Sequence, residues 1–247
     1  MKTASDLDAP PPLSALSAQA PLALFIDFDG TLVDLADAPE AIAVPADLSA
    51  RLAKLAGSLD HALALISGRA VIDLERHLGT LQVASAGSHG IDRRHADGSA
   101  LGEAPQGMSA EAEASLREFA TSRGLHLETK PHGSALHYRS NPEAEPEGSA
   151  FADTLAAQHG LVVKRGKYVI ELVRPGADKG GAVQAFMQVA PFAGRRPVFI
   201  GDDVTDEDGI LAVQEMGGMG ISVGERMPTA ALYHLADTRA VHAWLGL

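Results

Sequence analysis

The chain has 247 residues, 46% of them hydrophobic, which is enough for one large domain or for a core with a smaller inserted domain. It contains no cysteine, so disulfides, thiolate metal sites and a cysteine nucleophile are excluded. The formal net charge of −12 opposes binding to nucleic acid, because that binding rests largely on Lys and Arg. That leaves carboxylates, hydroxyls and histidines for chemistry.

The first 20 residues are rich in Ala, Pro, Ser and Asp and lack the basic region and apolar run of a secretory signal. We therefore predict a loose tail over 1–20. No segment reaches the roughly 20 apolar residues that would cross a bilayer. These features lead us to expect a cytoplasmic protein with no membrane partner.

From residue 21 the hydrophobic pattern alternates between short buried strands and amphipathic helices, which indicates a doubly wound, mostly parallel, Rossmann-like α/β core. Continuous apolar runs predict strands, and Leu or Val at helical spacing predicts helices. The predicted strands are 22–28, 61–67 and 83–86, and the predicted helices are 47–56 and 71–78.

After Gly87 the pattern changes to alternating strands and hairpins. The stretch 91–95 alternates, helices are predicted at 109–123 and 147–159, and strands at 125–130, 135–139, 161–164 and 168–173. From Asp178 onward the alternation of buried strands and helices returns, with strands predicted at 197–200 and 220–223 between helices. We therefore predict a core of 21–86 and 177–247 that is interrupted by a smaller α/β domain, 87–176.

The strongest chemical signal is Asp-Phe-Asp-Gly-Thr at 27–31, directly after the first predicted strand. Side chains at the carboxyl ends of parallel strands face the ligand crevice of an open sheet. Two neighbouring carboxylates there can take different catalytic roles, one as nucleophile and the other as general acid and base. The alternative is a strand that ends in an ordinary Asp-Gly turn.

A second acidic cluster, Gly-Asp-Asp-Val-Thr-Asp at 201–206, also follows an apolar strand. Two like charges 4 Å apart repel by about 4 kcal/mol at an effective dielectric of 20, so crowded carboxylates need a cation or a proton. Magnesium, which prefers oxygen ligands, fits this need and offsets the charge of an anionic ligand. A helix start explains Thr205 and Asp206, but it does not explain Asp202 and Asp203 at the strand end.

Ser67, in Ser-Gly-Arg, and Lys179, in Asp-Lys-Gly-Gly, each stand where a strand or loop meets a helix. A hydroxyl, helix N-terminal amides and an ammonium are typical phosphate-binding groups. The simpler interpretations are a helix cap for Ser67 and a solvated lysine. Arg69 can reach a phosphate or pair with an acidic residue, and the sequence leaves both open.

The order of these four motifs along 21–223 resembles the motif set of the haloacid dehalogenase superfamily. The resemblance implies an aspartyl-phosphate on Asp27, acid and base chemistry by Asp29, and phosphate binding by Ser67 and Lys179. It further implies magnesium as cofactor, with Asp27, the Asp29 backbone carbonyl and Asp202 as ligands. Residues with supporting roles are Asp203 and Asp206, which orient water or Lys179, and Thr31, Gly68 and Arg69, which contact substrate.

Four segments of the inserted domain resemble trehalose-6-phosphate phosphatases: Gly-Ser-His-Gly at 87–90, Glu-Thr-Lys at 128–130, Leu-His-Tyr-Arg at 136–139 and Gly-Lys-Tyr-Val-Ile-Glu-Leu at 166–172. The resemblance implies a cap domain and hydrolysis of trehalose 6-phosphate, in trehalose biosynthesis, by a monomer with a small-molecule substrate. Sugar hydroxyls need carboxylate, amine and imidazole partners. The candidate contacts are Glu128, Lys130, His137 and Glu171, with His89 and Gly90 near the hinge or cleft.

Two other functions remain open, and a third is disfavoured. Another sugar phosphate, such as sucrose phosphate or mannosylglycerate phosphate, would use the same core, and a noncatalytic sugar-phosphate sensor would share the fold. The intact pair Asp27 and Asp29 favours an enzyme over a sensor. An esterase elbow at 86–90 is disfavoured because a strand and turn, not a helix, are predicted to follow it.

Overall fold

The computed structural model describes residues 7–36, 41–102, 107–130, 133–166, 168–176, 178–225 and 229–247, without the side chain of Lys130. These residues form two compact units. The first consists of Met1–Glu103 with Asp178–Leu247, and the second is Ala104–Ala177.

Eleven strands and eight α-helices are found among the described residues, in a mixed α/β order. The strands are β1 (Leu22–Ile26), β2 (Leu63–Ile66), β3 (Ala84–Gly87), β4 (Asp92–Arg94), β5 (His126–Lys130), β6 (Gly133–His137), β7 (Val162–Gly166), β8 (Val169–Val173), β9 (Arg196–Gly201), β10 (Met219–Val223) and β11 (Tyr233–Leu235). The helices are α1 (Leu13–Gln19), α2 (Leu48–Ser58), α3 (Val71–Leu78), α4 (Ala110–Ser122), α5 (Glu145–His159), α6 (Lys179–Phe186), α7 (Glu207–Glu215) and α8 (Thr238–Leu245).

The first unit is built on a seven-stranded sheet with the order β11-β10-β9-β1-β2-β3-β4. All neighbouring pairs are parallel except β3 with β4. Alternate residues of β1 face opposite sides, so that Leu24 packs in a cluster with α2, α3 and α8, while Phe25 packs in a cluster with α6 and α7. Both faces are covered, which explains the continuous apolar runs and confirms the doubly wound α/β core.

The second unit is a four-stranded antiparallel sheet with the order β5-β6-β8-β7. Helices α4 and α5 pack on one of its faces through a core that includes Leu116, Leu136, Leu155, Ile170 and Leu172. Ser109 caps α4 by accepting a hydrogen bond from the Ala112 amide. The predicted hairpins and the two predicted helices of this region are thus present.

The boundary between the units lies later in the chain than the sequence pattern suggested. We predicted that the inserted domain begins at Gly87, but β4 pairs antiparallel with β3 and extends the first sheet, so the second unit begins at Ala104. The alternation over 91–95 does belong to a strand. It belongs to a strand of the core, because alternation reveals a half-covered strand but not its pairing partner.

The prediction of a loose tail is wrong for part of residues 1–20. Helix α1 is formed at Leu13–Gln19, and Leu16 is buried in the core cluster with α2 and α8. The Trp244 Nε1 donates to the Pro11 carbonyl oxygen at 2.8 Å, which ties this segment to α8. Among the residues described, no helix has the length and apolar character needed to cross a bilayer.

Candidate active site

The two acidic motifs meet at one edge of the first sheet. Strands β1 and β9 pair in parallel with Ile26 opposite Ile200, and the Asp27 amide donates to the Ile200 carbonyl at 2.9 Å. Asp27 follows β1 directly, and Asp202 follows Gly201, the last residue of β9. Carboxyl ends of adjacent parallel strands therefore bring the two carboxylates together, as the sequence predicted.

Lys179 connects these motifs through a buried ion-pair network. It is the first residue of α6, whose start is fixed by Asp178, which accepts a hydrogen bond from the Gly181 amide at 2.7 Å. The Lys179 Nζ donates to Oδ1 of Asp27 and to Oδ1 of Asp206, each at 2.6 Å. Since Lys179, Asp27 and Asp206 are almost completely buried, a single ammonium compensates two desolvated carboxylates.

Asp206 is a fixed support of this network. Its Oδ2 accepts a hydrogen bond from the Asp203 amide at 2.8 Å, while its Oδ1 is bound to Lys179. Gly201 permits this arrangement, because a Cβ there would lie 2.2 Å from Cγ of Asp206. The prediction that Asp206 orients Lys179 agrees with these contacts, and Asp203 acts at the same turn by accepting from the Val204 amide.

Burial and mutual repulsion disfavour the ionised form of the three carboxyls. Burial raises the pKa of Asp27 to about 6, and Lys179 pulls this pKa down while Asp202 pushes it up. Burial, together with Asp206 and Asp203, raises the pKa of Asp202 to about 6. Burial and the charge of Asp27 raise the pKa of Asp206 to about 7. Burial alone would lower the pKa of Lys179, but attraction to Asp27 and Asp206 outweighs it and raises this pKa.

Asp202 packs closely against the first motif. Gly30 has a positive φ of 78°, and a Cβ at this position would lie 2.2 Å from Oδ2 of Asp202, so glycine is required for both reasons. The Thr31 hydroxyl is buried and lies 3.4 Å from Oδ1 of Asp202, to which it donates. Thr31, which we predicted to contact substrate, thus contacts the second acidic motif.

Arg69 is paired with Asp29. Its Nε donates to Oδ2 at 2.7 Å and its Nη2 donates to Oδ1 at 2.6 Å, a bidentate geometry. Of the two possibilities that the sequence left open for Arg69, the structure shows the acidic partner. Ser67 is fully buried, and its Oγ accepts a hydrogen bond from the Arg69 amide at 3.1 Å.

The loop 88–90 brings His89 to the same place. Ser88, His89 and Gly90 all have positive φ, a run that is costly for the two residues with side chains. The His89 amide donates to the Ser67 carbonyl, and the His89 ring lies against Gly68, where a Cβ would be 2.8 Å from Cε1. Gly90, which we predicted near the hinge or cleft, packs against the Asp178 carbonyl oxygen. Ser88–Gly90 form only a single 3-10 turn that leads into β4, and no α-helix follows Ser88, so the structure argues against the esterase elbow.

A cavity of about 340 Å³ opens over the nucleophile candidate. It is lined by residues of both acidic motifs, of the loop that follows Ser67, and of α6, which begins at Lys179. Its lining residues are Asp27, Asp29, Leu35, Gly68, His89, Lys179, Asp202, Asp203 and Thr205.

The donor set fits a hard divalent cation. One carboxylate oxygen from each of Asp27, Asp202 and Asp206 lies within 4.8 Å of the others. Both oxygens of Asp206 already accept hydrogen bonds, whereas one oxygen of Asp27 and one of Asp202 do so, which makes these two the better carboxylate candidates for a cation. The carboxylate of Asp29 faces Arg69, so a contribution from Asp29 would come through its carbonyl oxygen. Two carboxylates with a carbonyl suit Mg²⁺, and a cation there would lower the raised pKa values of these carboxyls.

In the second unit, the sheet face opposite α4 and α5 carries charged and imidazole side chains. The strand register places Glu128, Ala135, Glu171 and Lys164 in one row across the four strands, and His126 and His137 in the next. The Glu128 Oε2 lies 3.0 Å from the His137 Nε2. We call this set, namely His126, Glu128, His137, Lys164 and Glu171, the polar face. Lys130 lies in β5, but its side chain is outside the described residues.

The polar face contains residues that sequence reasoning missed. Glu128, His137 and Glu171 were predicted, whereas Lys164 and His126 were not. Lys164 opposes Glu171 in the register, and the His126 and His137 rings lie 5.5 Å apart. Alternation within each strand was visible in the sequence, but the pairing of β7 with β8 that aligns Lys164 and Glu171 was not.

Solved structures with a similar fold include phosphatases. A trehalose-6-phosphate phosphatase from Aspergillus fumigatus superposes with a TM-score of 0.77 at 23% identity and covers 97% of each chain. A phosphatase of the haloalkanoate (HAD) superfamily from Bacteroides thetaiotaomicron gives 0.68 at 15% identity, over 92% of this chain and 93% of the other. The chain therefore has the fold that these phosphatases share, with paired aspartates directly after its central strand.

Comparison of the sequence gives the family. The trehalose-phosphatase family model matches residues 25–239. The trehalose-6-phosphate phosphatase of Escherichia coli K12 is 37% identical over 229 residues, which are 92% of this chain and 86% of the relative. The chain belongs to the trehalose-phosphatase family.

Proposed function

We propose that the protein hydrolyses trehalose 6-phosphate to trehalose and phosphate, with Mg²⁺ as cofactor and an aspartyl-phosphate intermediate on Asp27. The observation that carries the proposal is the Asp27 carboxylate. It is buried at the end of β1, bound through one oxygen to Lys179, and it lines the cavity together with Asp29 and Asp202. The family supplies the substrate, since the relatives are trehalose-phosphate phosphatases.

In the first half of the reaction, Asp27 attacks phosphorus in line with the leaving sugar oxygen, forming one O–P bond as the other breaks. A pKa of about 6 leaves Asp27 ionised, and thus nucleophilic, above that pH. Lys179 is oriented by Asp206, and its ammonium stabilises the charge that spreads over the phosphoryl oxygens. The hydroxyl of Ser67 and the amides around Gly68 are the proposed phosphate contacts.

Asp29 serves both halves of the reaction. It gives a proton to the leaving sugar oxygen, and it then takes a proton from the water that attacks the aspartyl-phosphate, which releases phosphate and restores Asp27. Asp29 lines the cavity two residues after Asp27, which supports this assignment.

When bound, Mg²⁺ would be held by Asp27, Asp202 and the Asp29 carbonyl, and it would offset the negative charge of the site and of the phosphate. Selection of the sugar is proposed to come from the second unit. Glu128, Lys130, His137 and Glu171 offer the acceptors and donors that the hydroxyls of a disaccharide require. His89 is a further candidate and lines the cavity of the first unit.

The test is phosphate release from trehalose 6-phosphate, glucose 6-phosphate and sucrose 6-phosphate, each with Mg²⁺ and with a chelator. We expect turnover that depends on Mg²⁺ and that is fastest, by kcat/KM, with trehalose 6-phosphate. A preference for another sugar phosphate would keep the mechanism and overturn the substrate. No turnover of any of the three would favour a noncatalytic sensor.

A further inference from the structure

The bidentate pair of Arg69 and Asp29 lies inside the first unit and has no role in the mechanism above. Both carboxylate oxygens of Asp29 accept from the guanidinium, at 2.6 and 2.7 Å. The side chain of Arg69 is 14% exposed and that of Asp29 is 27% exposed. A pair this shielded, with two parallel hydrogen bonds, fixes the plane of the carboxylate as well as its position.

Arg69 is itself held on several sides. Its amide donates to Ser67 Oγ, and its carbonyl accepts from the Ser88 amide at 2.7 Å. Its Cζ lies 6.0 Å from the centre of the Phe28 ring, which is fully buried. The backbone of Arg69 is thus anchored to Ser67 and Ser88, and its guanidinium lies against Phe28 of the first motif; a lysine would offer no planar fork in its place.

We propose that Arg69 is a positioning residue for the general acid: it holds the Asp29 carboxyl in the orientation from which its proton reaches the leaving sugar oxygen. The inference rests on the proposed function. In that step one Asp29 oxygen carries the proton while the other keeps its hydrogen bond from Arg69. The Asp29 O–H bond breaks, the proton goes to the sugar oxygen, and the electron pair of the broken P–O bond stays on that oxygen while the Asp27 O–P bond forms. Arg69 acts through Asp29 and does not touch the reacting atoms.

This role has a signature that depends on the leaving group. A sugar alkoxide must be protonated as it leaves, whereas p-nitrophenolate leaves without a proton. Because kcat/KM reports the reaction only up to the first irreversible step, it isolates departure of the leaving group from the later attack of water. We therefore expect Arg69→Gln to lower kcat/KM for trehalose 6-phosphate by about 100-fold, but for p-nitrophenyl phosphate by less than about 3-fold.

The deciding measurement is a double-mutant cycle with Asp29→Asn. If Arg69 acts through Asp29, the variant carrying both substitutions is no slower with trehalose 6-phosphate than Asp29→Asn alone. We also expect Arg69→Lys to recover only part of the lost rate, because an ammonium makes no bidentate contact. Equal losses on the two substrates, or losses that multiply in the double variant, would overturn the inference and make Arg69 a phosphate contact.

Arg76→Gln is the matched control, since Arg76 is an exposed arginine of α3 paired with Asp73. It should retain wild-type rates on both substrates. Circular dichroism of each variant separates loss of fold from loss of positioning. If the wild-type protein turns over p-nitrophenyl phosphate but not trehalose 6-phosphate, the proposed substrate fails, whereas an active wild type with multiplying losses removes only the role of Arg69.

Discussion

In the first unit, Lys179 donates to two carboxylates that are almost inaccessible to water, whereas in the second unit the His137 ring and the Glu128 carboxylate meet on a sheet face where they are 38% and 46% exposed. Removing one partner of a buried pair leaves an uncompensated charge and costs about 3–5 kcal/mol, while an exposed pair contributes about 0–1 kcal/mol. Substitutions in the core site are therefore strongly destabilising. Residues of the polar face, in contrast, can change at little cost in stability.

The largest expected effect is that of Asp27→Asn. The substitution keeps the shape of the side chain but removes the nucleophile, so we expect kcat to fall by at least about 10⁴-fold with the fold intact. Phosphate release and circular dichroism measure the two quantities. Asp97→Asn, in an exposed turn of the same unit, is the control and should remain active. An active Asp27→Asn enzyme would rule out the aspartyl-phosphate route.

Next in size, Lys179→Met should lower both activity and stability. We expect kcat to fall by about 10²–10³-fold, because charge on the phosphoryl oxygens loses its ammonium. The free energy of unfolding should fall by about 3–5 kcal/mol, because Asp27 and Asp206 lose their shared partner. Denaturant titration measures the stability, and Lys54→Met, on the exposed side of α2, should leave it unchanged. Loss of activity at full stability would contradict the ion-pair network.

For the polar face we expect a substitution to weaken substrate binding without changing stability. Glu128→Gln should raise KM for trehalose 6-phosphate by about tenfold, as expected for the loss of a charged hydrogen bond, and leave the thermal midpoint unchanged. kcat/KM for p-nitrophenyl phosphate, which carries no sugar, should also remain unchanged. Glu118→Gln, on α4 of the same unit, is the control. Equal losses on both substrates would place Glu128 outside sugar recognition.

The smallest effect concerns metal and pH. The carboxyls of Asp27, Asp202 and Asp206 have pKa values of about 6 to 7 when folded, against about 4 in an unfolded chain. Between about pH 4 and pH 7 the folded state therefore binds more protons than the unfolded chain. The stability that these three protonated carboxyls contribute is lost as the pH rises through this range. Mg²⁺ should restore it, raising the midpoint by about 3–6 °C at ten times Kd.

Differential scanning fluorimetry at pH 8 and at pH 5, with and without Mg²⁺, measures this effect. The shift should be larger at pH 8, where the ligands are ionised, and Asp202→Asn should abolish it. A shift of equal size at both pH values would point to a metal site elsewhere.

The sequence was sufficient for features that depend on neighbours along the chain. The bounds of α3 were predicted as observed, and Asp27 and Asp202 were placed at strand ends because apolar runs precede them. It failed where partners are distant. The β4 strand was assigned to the wrong domain, and α1 was taken as a loose tail although Leu16 is buried. The pairing of Arg69 with a residue 40 positions away was likewise left undecided.

The contact between Trp244 and Pro11 has a practical consequence. Trp244 is the only tryptophan of the chain, and it belongs to the first unit. Its fluorescence therefore reports the opening of the α1 and α8 region and is silent about events confined to Ala104–Ala177. Far-ultraviolet circular dichroism sees both units. Coincident melting curves from the two signals would show one cooperative transition, and separated curves would give the stability of each unit from a single unlabelled sample.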